Sequence, residues 1–380
     1  MEKVKLGDVS KLINGDRGKN YPSQADITEE GEIPFVNAGH LNGREIDFSE
    51  MNYISQDKYD NLRSGKFQEG DILYCLRGSI GKKAIVSNDV NGAIASSLVI
   101  IRPDKEKVDG EYLMFALDSP AIKEQLVKAN NGSSQPNLSA SSVREYQVEL
   151  PNISVQKEVV EKLIKVRNII DCRRKELQLL DSLIKARFVE MFGNGHDGFC
   201  NTKRLGEFCK FQQGTQVPVE EQIEEQLEGY TRFLRIIDYT QAPQIPRYVS
   251  VKGRKIAEDS VVIVRYGATA GFVGHGYAGI LANNLFEVVP DESILSKDFL
   301  YLALKYGTFE QEVHDKAFGA AMPALSFGMM NDIGVVTPNV TAQNSFVDFV
   351  HQVNKSKVAV QKALDETQLL FNSLMQKYFG

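Results

Sequence analysis

Val155–Gly193 reads VQKEVVEKLIKVRNIIDCRRKELQLLDSLIKARFVEMFG, with no proline and no glycine before its last residue. Apolar residues recur every seven positions at Leu163, Ile170, Leu177, Ile184 and Met191. A second row, Val159, Val166, Arg173, Leu180 and Arg187, sits between them. This alternation of three and four places both rows on one side of a helix, the pattern of a coiled-coil seam. Pro151 precedes the stretch and Gly193 ends it, as start and stop signals. At about 1.5 Å per residue such a helix runs roughly 57 Å, far more than a compact domain needs. The alternative is a long helix across one large core, but Arg173 and Arg187 on the seam suit a two-helix ribbon better.

The stretch occurs twice. Residues 131–156, NGSSQPNLSASSVREYQVELPNISVQ, lie over 318–343, FGAAMPALSFGMMNDIGVVTPNVTAQ, at one constant offset. Gly132 meets Gly319, Pro136 meets Pro323, and Leu138-Ser139 meets Leu325-Ser326. Val148 meets Val335, Pro151-Asn152 meets Pro338-Asn339, and Gln156 meets Gln343. The same offset carries Phe192-Gly193 onto Phe379-Gly380, and the seam onto Val350, Leu364, Phe371 and Tyr378. Phe346, Val353, Val360 and Leu374 fall between. Earlier the offset drifts: RGSIG (77–81) aligns with RYGATAG (265–271), and LGDV (6–9) with LGEF (205–208). So many matches in one order mark an internal duplication.

Four segments follow: a globular part over 1–151, a long helix over 152–193, a second globular part over 194–338 and a second long helix over 339–380. In the first globular part EIPFVNAGHLNG, DILYCLRG, KKAIV and ASSLVIIRP read as strands, bounded by turn residues. Asp109–Lys128 reads as a helix broken or kinked at Pro120. In the second, TRFLRIIDYTQ, DSVVIVRYG and NNLFEVVP read as strands and SKDFLYLALKYGTFEQEVHDK as a helix. The expected fold is α+β with an internal pseudo-two-fold repeat. The two long helices pair as an antiparallel coiled coil with a globular part at each end. Lys357, Thr367, Arg173 and Arg187 are the polar seam members, expected to reach solvent or acidic neighbours.

Composition narrows the class. The chain has 380 residues, 42% hydrophobic and 25% charged, an ordinary globular balance for two or three domains. It has no apolar run long enough to span a bilayer, and MEKVKLGDVSKLING lacks the apolar core of a signal peptide. Cys75, Cys172, Cys200 and Cys209 form no CxxC pair and read as reduced thiols of a cytoplasmic protein. Net charge is −6, with 18 basic against 23 acidic residues in 1–151 and 13 against 18 in 194–338. The first helical segment has 9 against 6 and the second 4 against 3. Any nucleic-acid binding must therefore use local clusters, helped by a more basic partner.

The duplicated pieces resemble the specificity (S) subunit of type I restriction-modification systems. They are the KLGDV and RLGEF openings, IPFVNAGHLN and TRFLRIIDYTQ, RGSIGKKAIV and RYGATAG, then QPNLS and MPALS, each of the last two followed by a strand, Pro-Asn and a long helix. No piece is a strong motif alone; the ordered duplication covers nearly the whole chain. The resemblance implies two target-recognition domains, each reading half of a split sequence in double-stranded DNA. It implies helices that act as spacer and dock two methyltransferase (M) subunits, with restriction (R) subunits completing the complex. S-adenosylmethionine, ATP and Mg are expected on those partners and no cofactor on this chain. There is no HExxH, no GxSxG, no Walker motif and no Asn-Pro-Pro-aromatic sequence, so the expected role is non-catalytic. The rivals are the same role in a methylation-only complex, and a coiled-coil adaptor joining two protein-binding domains.

Candidate DNA contacts are polar residues on loops slim enough for the major groove. Asn14–Tyr21, NGDRGKNY, offers Arg17, Lys19 and Asn20; its counterpart offers Gln212, Gln213, Thr215 and Gln216. Asn37, His40 and Asn42 follow a strand, as do Arg235, Asp238 and Tyr239. Asn pairs bidentately with adenine and Arg with guanine, while Asp accepts from cytosine. RGSIGKK fails the phosphate-loop pattern G-x-x-x-x-G-K-[ST] and reads as a tight turn presenting Arg77, Ser79 and Lys82; the second copy presents Arg265 and Thr269. Gln135 and Asn137, with Ser133 and Ser134, precede Leu138, where the second copy has Met322, Ala324, Ala320 and Ala321. Hydrogen bonding within turns explains the same residue types at each place.

Overall fold

A computed structural model of the chain describes residues 2–87, 90–129, 137–193, 200–241, 244–317 and 324–380. The chain forms two compact units, Met1–Arg173 with Ala363–Gly380, and Arg174–Lys362. The long helices are Ile153–Phe192 and Val340–Phe379, 40 residues each. Compactness thus divides each helix near its middle, where the sequence segments divide the chain at helix ends. The same Asx cap starts both helices: Asn152 Oδ1 accepts the Val155 N–H and Asn339 Oδ1 the Ala342 N–H, each at 3.0 Å. Gly193, at φ +69°, takes the left-handed conformation that closes the first.

In the first unit, the strands Ser10–Asn14, Leu98–Pro103, Ile72–Cys75 and Lys83–Ile85 form one antiparallel sheet in that order. A second sheet runs Tyr53–Ile54, Ile33–Val36, Gly92–Ile94 and Lys66–Phe67, and its central pair is parallel. Lys3–Lys5 pairs with Gln147–Glu149. Along Ile72–Cys75 the pleat sends Ile72 and Tyr74 into a core with Tyr112, Phe115, Leu163 and Phe379. Leu73 and Cys75 enter a smaller core with Val36, Phe67 and Ile94. A sheet covered on both faces needs unbroken apolar strands, which is why ILYC and LVII do not alternate.

The second unit repeats this order. Cys209–Gln213, Leu285–Pro290, Val261–Val264 and Val273–Gly274 form one sheet, and Arg247–Val249, Thr231–Leu234, Gly279–Leu281 and Lys255–Ile256 the other, again with a parallel central pair. Thr202–Arg204 pairs with Gly334–Val336. The first expected helix is broken before Pro120, into Gly110–Ala116 and Pro120–Ala129, and the second, expected as one helix, is also a pair, Lys297–Tyr306 and Phe309–Ala317. Pro120 opens a helix rather than kinking one, because a first-turn position needs no N–H donor. TRFLRIIDYTQ is a strand only over Thr231–Leu234; Ile236–Thr240 is a helical turn.

Each unit joins its helix to its globular part through one buried glutamine. Gln156 Oε1 accepts the Asp109 N–H at 2.8 Å, and its Nε2 donates to the Lys107 and Pro151 carbonyls. Gln343 Oε1 accepts the Ser296 N–H at 3.0 Å, and its Nε2 donates to the Ile294 and Pro338 carbonyls. Both buried amides thus have their oxygen and their nitrogen engaged by backbone groups.

The helices pair antiparallel within each unit. In the first, the Arg173 guanidinium donates to Thr367 Oγ1 and the Ala363 carbonyl, while Arg167 lies 5.5 Å from the Phe371 ring. In the second, Lys357 pairs with Asp181 at 2.6 Å, and the Phe188 and Phe346 rings are 5.5 Å apart. Residue numbers fall along one helix as they rise along the other. Three polar seam members therefore find partners across the pair, and Arg187 turns to Glu190 on its own helix at 2.8 Å. Leu163, Ile170 and Ile184 are buried while Leu177 is half-buried. Phe188 and Phe192, outside the two seam rows, are buried with Phe299 and Phe346. The buried face widens there because the helix packs on its globular part as well as on the other helix.

Candidate nucleic-acid interface

In the first unit the loop carrying Arg17, Lys19 and Asn20 is anchored from below by Asp16. Its buried carboxylate accepts the Arg17 and Arg63 N–H groups, each at 2.7 Å. Tyr21 packs edge-on against Phe35 at 5.9 Å, and its hydroxyl accepts the Ser96 N–H. Arg17 and Lys19 stand exposed on this fixed base, and Asn20 is half-buried. Gly18, at φ +91°, provides the turn between them.

Asn37, His40 and Asn42 are engaged in the turn itself. Asn37 Oδ1 accepts the Gly39 N–H at 2.7 Å, and Asn42 Oδ1 accepts the Glu45 N–H at 2.7 Å. His40 is buried; its Nδ1 accepts the Asn37 N–H and its Nε2 donates to the Glu50 carbonyl. That pattern needs the neutral ring, and burial holds its pKa below the usual histidine value. Lys82 Nζ donates to the Ala38 carbonyl at 3.1 Å, tying the 77–83 turn to this one. Ser79 and Arg77 are exposed, and Arg77 Nε donates to Asn137 Oδ1 at 3.2 Å. Gln135 lies outside the described residues. The fold brings Arg17, Arg77 and Asn137 to one cavity of about 480 Å³, together with Arg144. Arg144 was not expected from sequence; its only signal is the i, i+3 spacing from Ser141 on the turn Ala140–Arg144.

In the second unit Gln213 donates to the Asn283 carbonyl and Gln216 Oε1 accepts from the Asn283 amide, so both converge on one turn. Thr215 Oγ1 accepts the Arg254 N–H at 2.8 Å, and Gln212 is half-buried on its strand. Gly214 rides so close to the Ala282 carbonyl that a side chain has no room there. Asp238 is not presented outward. Its carboxylate is fully buried, caps its own turn through the Arg235 N–H at 2.8 Å, and pairs with the Arg235 guanidinium at 3.0 Å. Arg235 also donates to the Ile245 carbonyl. Tyr239 packs on Tyr277 at 5.4 Å, with burial raising its hydroxyl pKa well above the usual value. Asp238 and His40 therefore hold the scaffold: a carboxylate or ring this enclosed cannot meet a base edge without leaving its partners unpaired. The Tyr239 hydroxyl is buried with no hydrogen-bond partner among the described residues. Arg265 donates to the Leu325 carbonyl, and Thr269 is exposed between Gly267 and Gly271, both at φ +90°.

A cavity of about 630 Å³ in the second unit, lined by Lys185, Arg204 and Glu312, contains none of the expected residues. Among the described residues, no group of three or more His, Cys, Asp or Glu side chains is placed to hold a metal ion. No described helix is long and apolar enough to cross a membrane.

The chain, with its twin α+β units and twin helices, belongs to the family described as type I restriction modification DNA specificity domain, whose model matches residues 1–181 and again 200–367. Among curated relatives, the putative type I restriction enzyme MjaX specificity subunit of Methanocaldococcus jannaschii is 20% identical over 368 residues, covering 87% of this chain and 84% of that protein. The type I restriction enzyme EcoBI specificity subunit of Escherichia coli is 26% identical over 171 residues, 44% of this chain and only 36% of that protein. A chain solved in work on complex assembly and conformational transition of the type I R-M system aligns with TM-score 0.64 at 19% identity, covering 100% of this chain and 97% of its own. The crystal structure of a type I restriction-modification S subunit from M. genitalium aligns at 0.59 and 17%, covering 100% and 96%. At such identities these structures establish a shared fold.

Proposed function

We propose that the chain is the non-catalytic DNA-reading subunit of a type I restriction-modification complex, each globular part reading one half of a bipartite target in the major groove. The paired helices act as spacer between the readers and as the docking element for two methyltransferase subunits. Methylation with S-adenosylmethionine, and cleavage driven by ATP and Mg where restriction subunits join, take place on those partners. The observation that carries this reading is the duplication: two units share one topology and one glutamine joint while their exposed loops differ. Two half-sites about one helical turn apart lie roughly 34 Å from each other, and a stiff strut holds such a distance and phase where a flexible linker does not.

Co-expression with a partner methyltransferase, followed by single-molecule sequencing of methylated positions, tests the reading. The expected result is a new split motif that appears only with this chain; no new motif would overturn it. Inserting one heptad into both long helices is expected to change the spacer while preserving both half-sites. A methylation-only complex predicts the same motif without cleavage, so restriction of unmethylated DNA separates the two versions.

A further inference from the structure

The cavity of about 480 Å³ in the first unit is lined by three guanidinium groups, those of Arg17, Arg77 and Arg144, and by no carboxylate. Asn14, Ser139 and Ser141 complete its polar wall. None of the three arginines forms an ion pair among the described residues, whereas Arg44 pairs with Glu111 and Arg102 with Asp71 in the same unit. Three like charges on one small cavity repel one another, and an anion seated among them removes that cost. Guanidinium is a donor-only group whose fork matches the oxygens of a phosphate. Arg77 is pre-positioned, its Nε held by Asn137 Oδ1 while its terminal nitrogens remain available. Leu138 donates its N–H to the Leu76 carbonyl, locking the two walls together.

The second unit fills the same place with carbon. Leu325 donates its N–H to the Arg265 carbonyl, as Leu138 does to Leu76, so the frames superpose in kind. Gly7 packs against the Arg144 side chain, and Gly206 against Asn331, which identifies Asn331 as the counterpart of Arg144. The position of Ala140 is taken by Phe327, whose ring stacks on Phe211 at 5.8 Å and lies 5.4 Å from the Arg265 guanidinium. Tyr266 bridges to Ala324 as Arg77 does to Asn137, so an aromatic residue stands at the Arg77 position, and Arg265, at the Leu76 position, lies under the Phe327 ring.

We propose that the arginine cavity of the first unit is a seat for one backbone phosphodiester of the DNA duplex, with no equivalent in the second unit. The inference rests on the DNA-reading role proposed above. A phosphate seat fixes register without reading sequence, so the first unit clamps its half-site ionically while the second relies on neutral contacts.

The test uses the full chain assembled with its methyltransferase subunits, binding a duplex that carries the motif, over a series of salt concentrations. R144Q, and A140F, which copies the second unit's filling, are each expected to reduce the slope of log affinity against log salt by about 0.9, the loss of one phosphate contact. K105Q, an equal charge change outside the cavity, is expected to keep the wild-type slope. A single methylphosphonate at the seated position should weaken wild-type binding and leave R144Q unchanged. Wild-type slopes in both R144Q and A140F overturn the seat, as does protection of the cavity by inorganic phosphate with no change in DNA slope. If the wild-type complex yields no split motif, the functional reading fails instead, which the methylation map shows separately.

Discussion

The two units have one architecture and two surfaces. Both build the same pair of sheets in the same strand order, and both tie a long helix down with a glutamine that makes the same three backbone bonds. They part where side chains face outward or fill space. The first presents Arg17, Arg77 and Arg144 around an open cavity, where the second places a ring, Phe327, and neutral amides, Gln213 and Gln216. Their helix joints differ too. The second packs Phe188, Phe192, Phe299 and Phe346 edge to face, whereas the first uses Leu163, Val159, Met375 and Phe379. The difference teaches that backbone hydrogen bonding fixes the frame, because buried polar groups tolerate few substitutes, while packing and surface are free to diverge so long as volume is filled.

Phe346→Ala tests the aromatic joint most severely. It removes a fully buried ring that contacts Phe188 and Phe192 at 5.5 Å, and a loss of about 3–5 kcal/mol is expected. Val159→Ala, at the equivalent place in the first unit, is expected to cost roughly half that or less. Denaturant unfolding of the full chain, with hydrogen exchange reporting each unit, measures both; equal losses would break the claim that the second joint is the tighter one.

The glutamines provide the opposite kind of test, because there the units are expected to agree. Gln156→Ala and Gln343→Ala each remove the side-chain partner of one N–H and two carbonyls that are part-buried, for a loss of about 1–3 kcal/mol. Amide exchange should rise at Asp109 in one variant and at Ser296 in the other. A clear inequality between the variants would show that the two joints are not mechanically alike.

The polar seam is expected to matter less. Lys357 and Asp181 pair on a partly exposed face of the second unit, so Lys357→Met should change stability by about 1 kcal/mol or less. Arg173 reaches a buried Thr367 and a carbonyl in the first unit, and Arg173→Met should cost more than the lysine change. Thermal unfolding of the two variants ranks them, and the reverse order would refute this assignment of the seam contacts.

The smallest expected effect is shared. Burial lowers the pKa of His40 in the first unit and of His275 in the second, where the ring stacks on Tyr301 at 4.7 Å. Below the ordinary histidine value of about 6.5, the unfolded chain therefore binds more protons than the native one. This contribution is complete above that pH and is lost as pH falls from it toward the lower native values. Unfolding curves from neutral to mildly acidic pH should show stability declining, and His40→Asn with His275→Phe together should flatten that part of the profile. An unchanged profile in the double variant would remove the histidines as its cause.

Much of this was legible in the chain because it is written in local periodicity. The heptad rows run to within two residues of the C-terminal ends of both long helices, whereas the alignment of Gln156 with Gln343 showed the duplication but not the joint that these residues form. Gly92–Ile94 and Gly279–Leu281 were not legible as strands: three residues carry no period, and their pairing comes from distant partners. Nor was the fate of Asp238 and His40, polar types that suit a base contact and a turn equally well. Their burial depends on what packs over them, which residue type does not encode.

The sequence by itself determined the duplication, the long amphipathic helices and the α+β character of what lies between, since these follow from residues a few positions apart along one chain. Only the tertiary structure decided which polar residues face outward and which are spent inside. It alone made a cavity from Arg17, Arg77 and Arg144, because Arg77 reaches Asn137, sixty positions along the chain, through strand and turn pairing that no local pattern specifies.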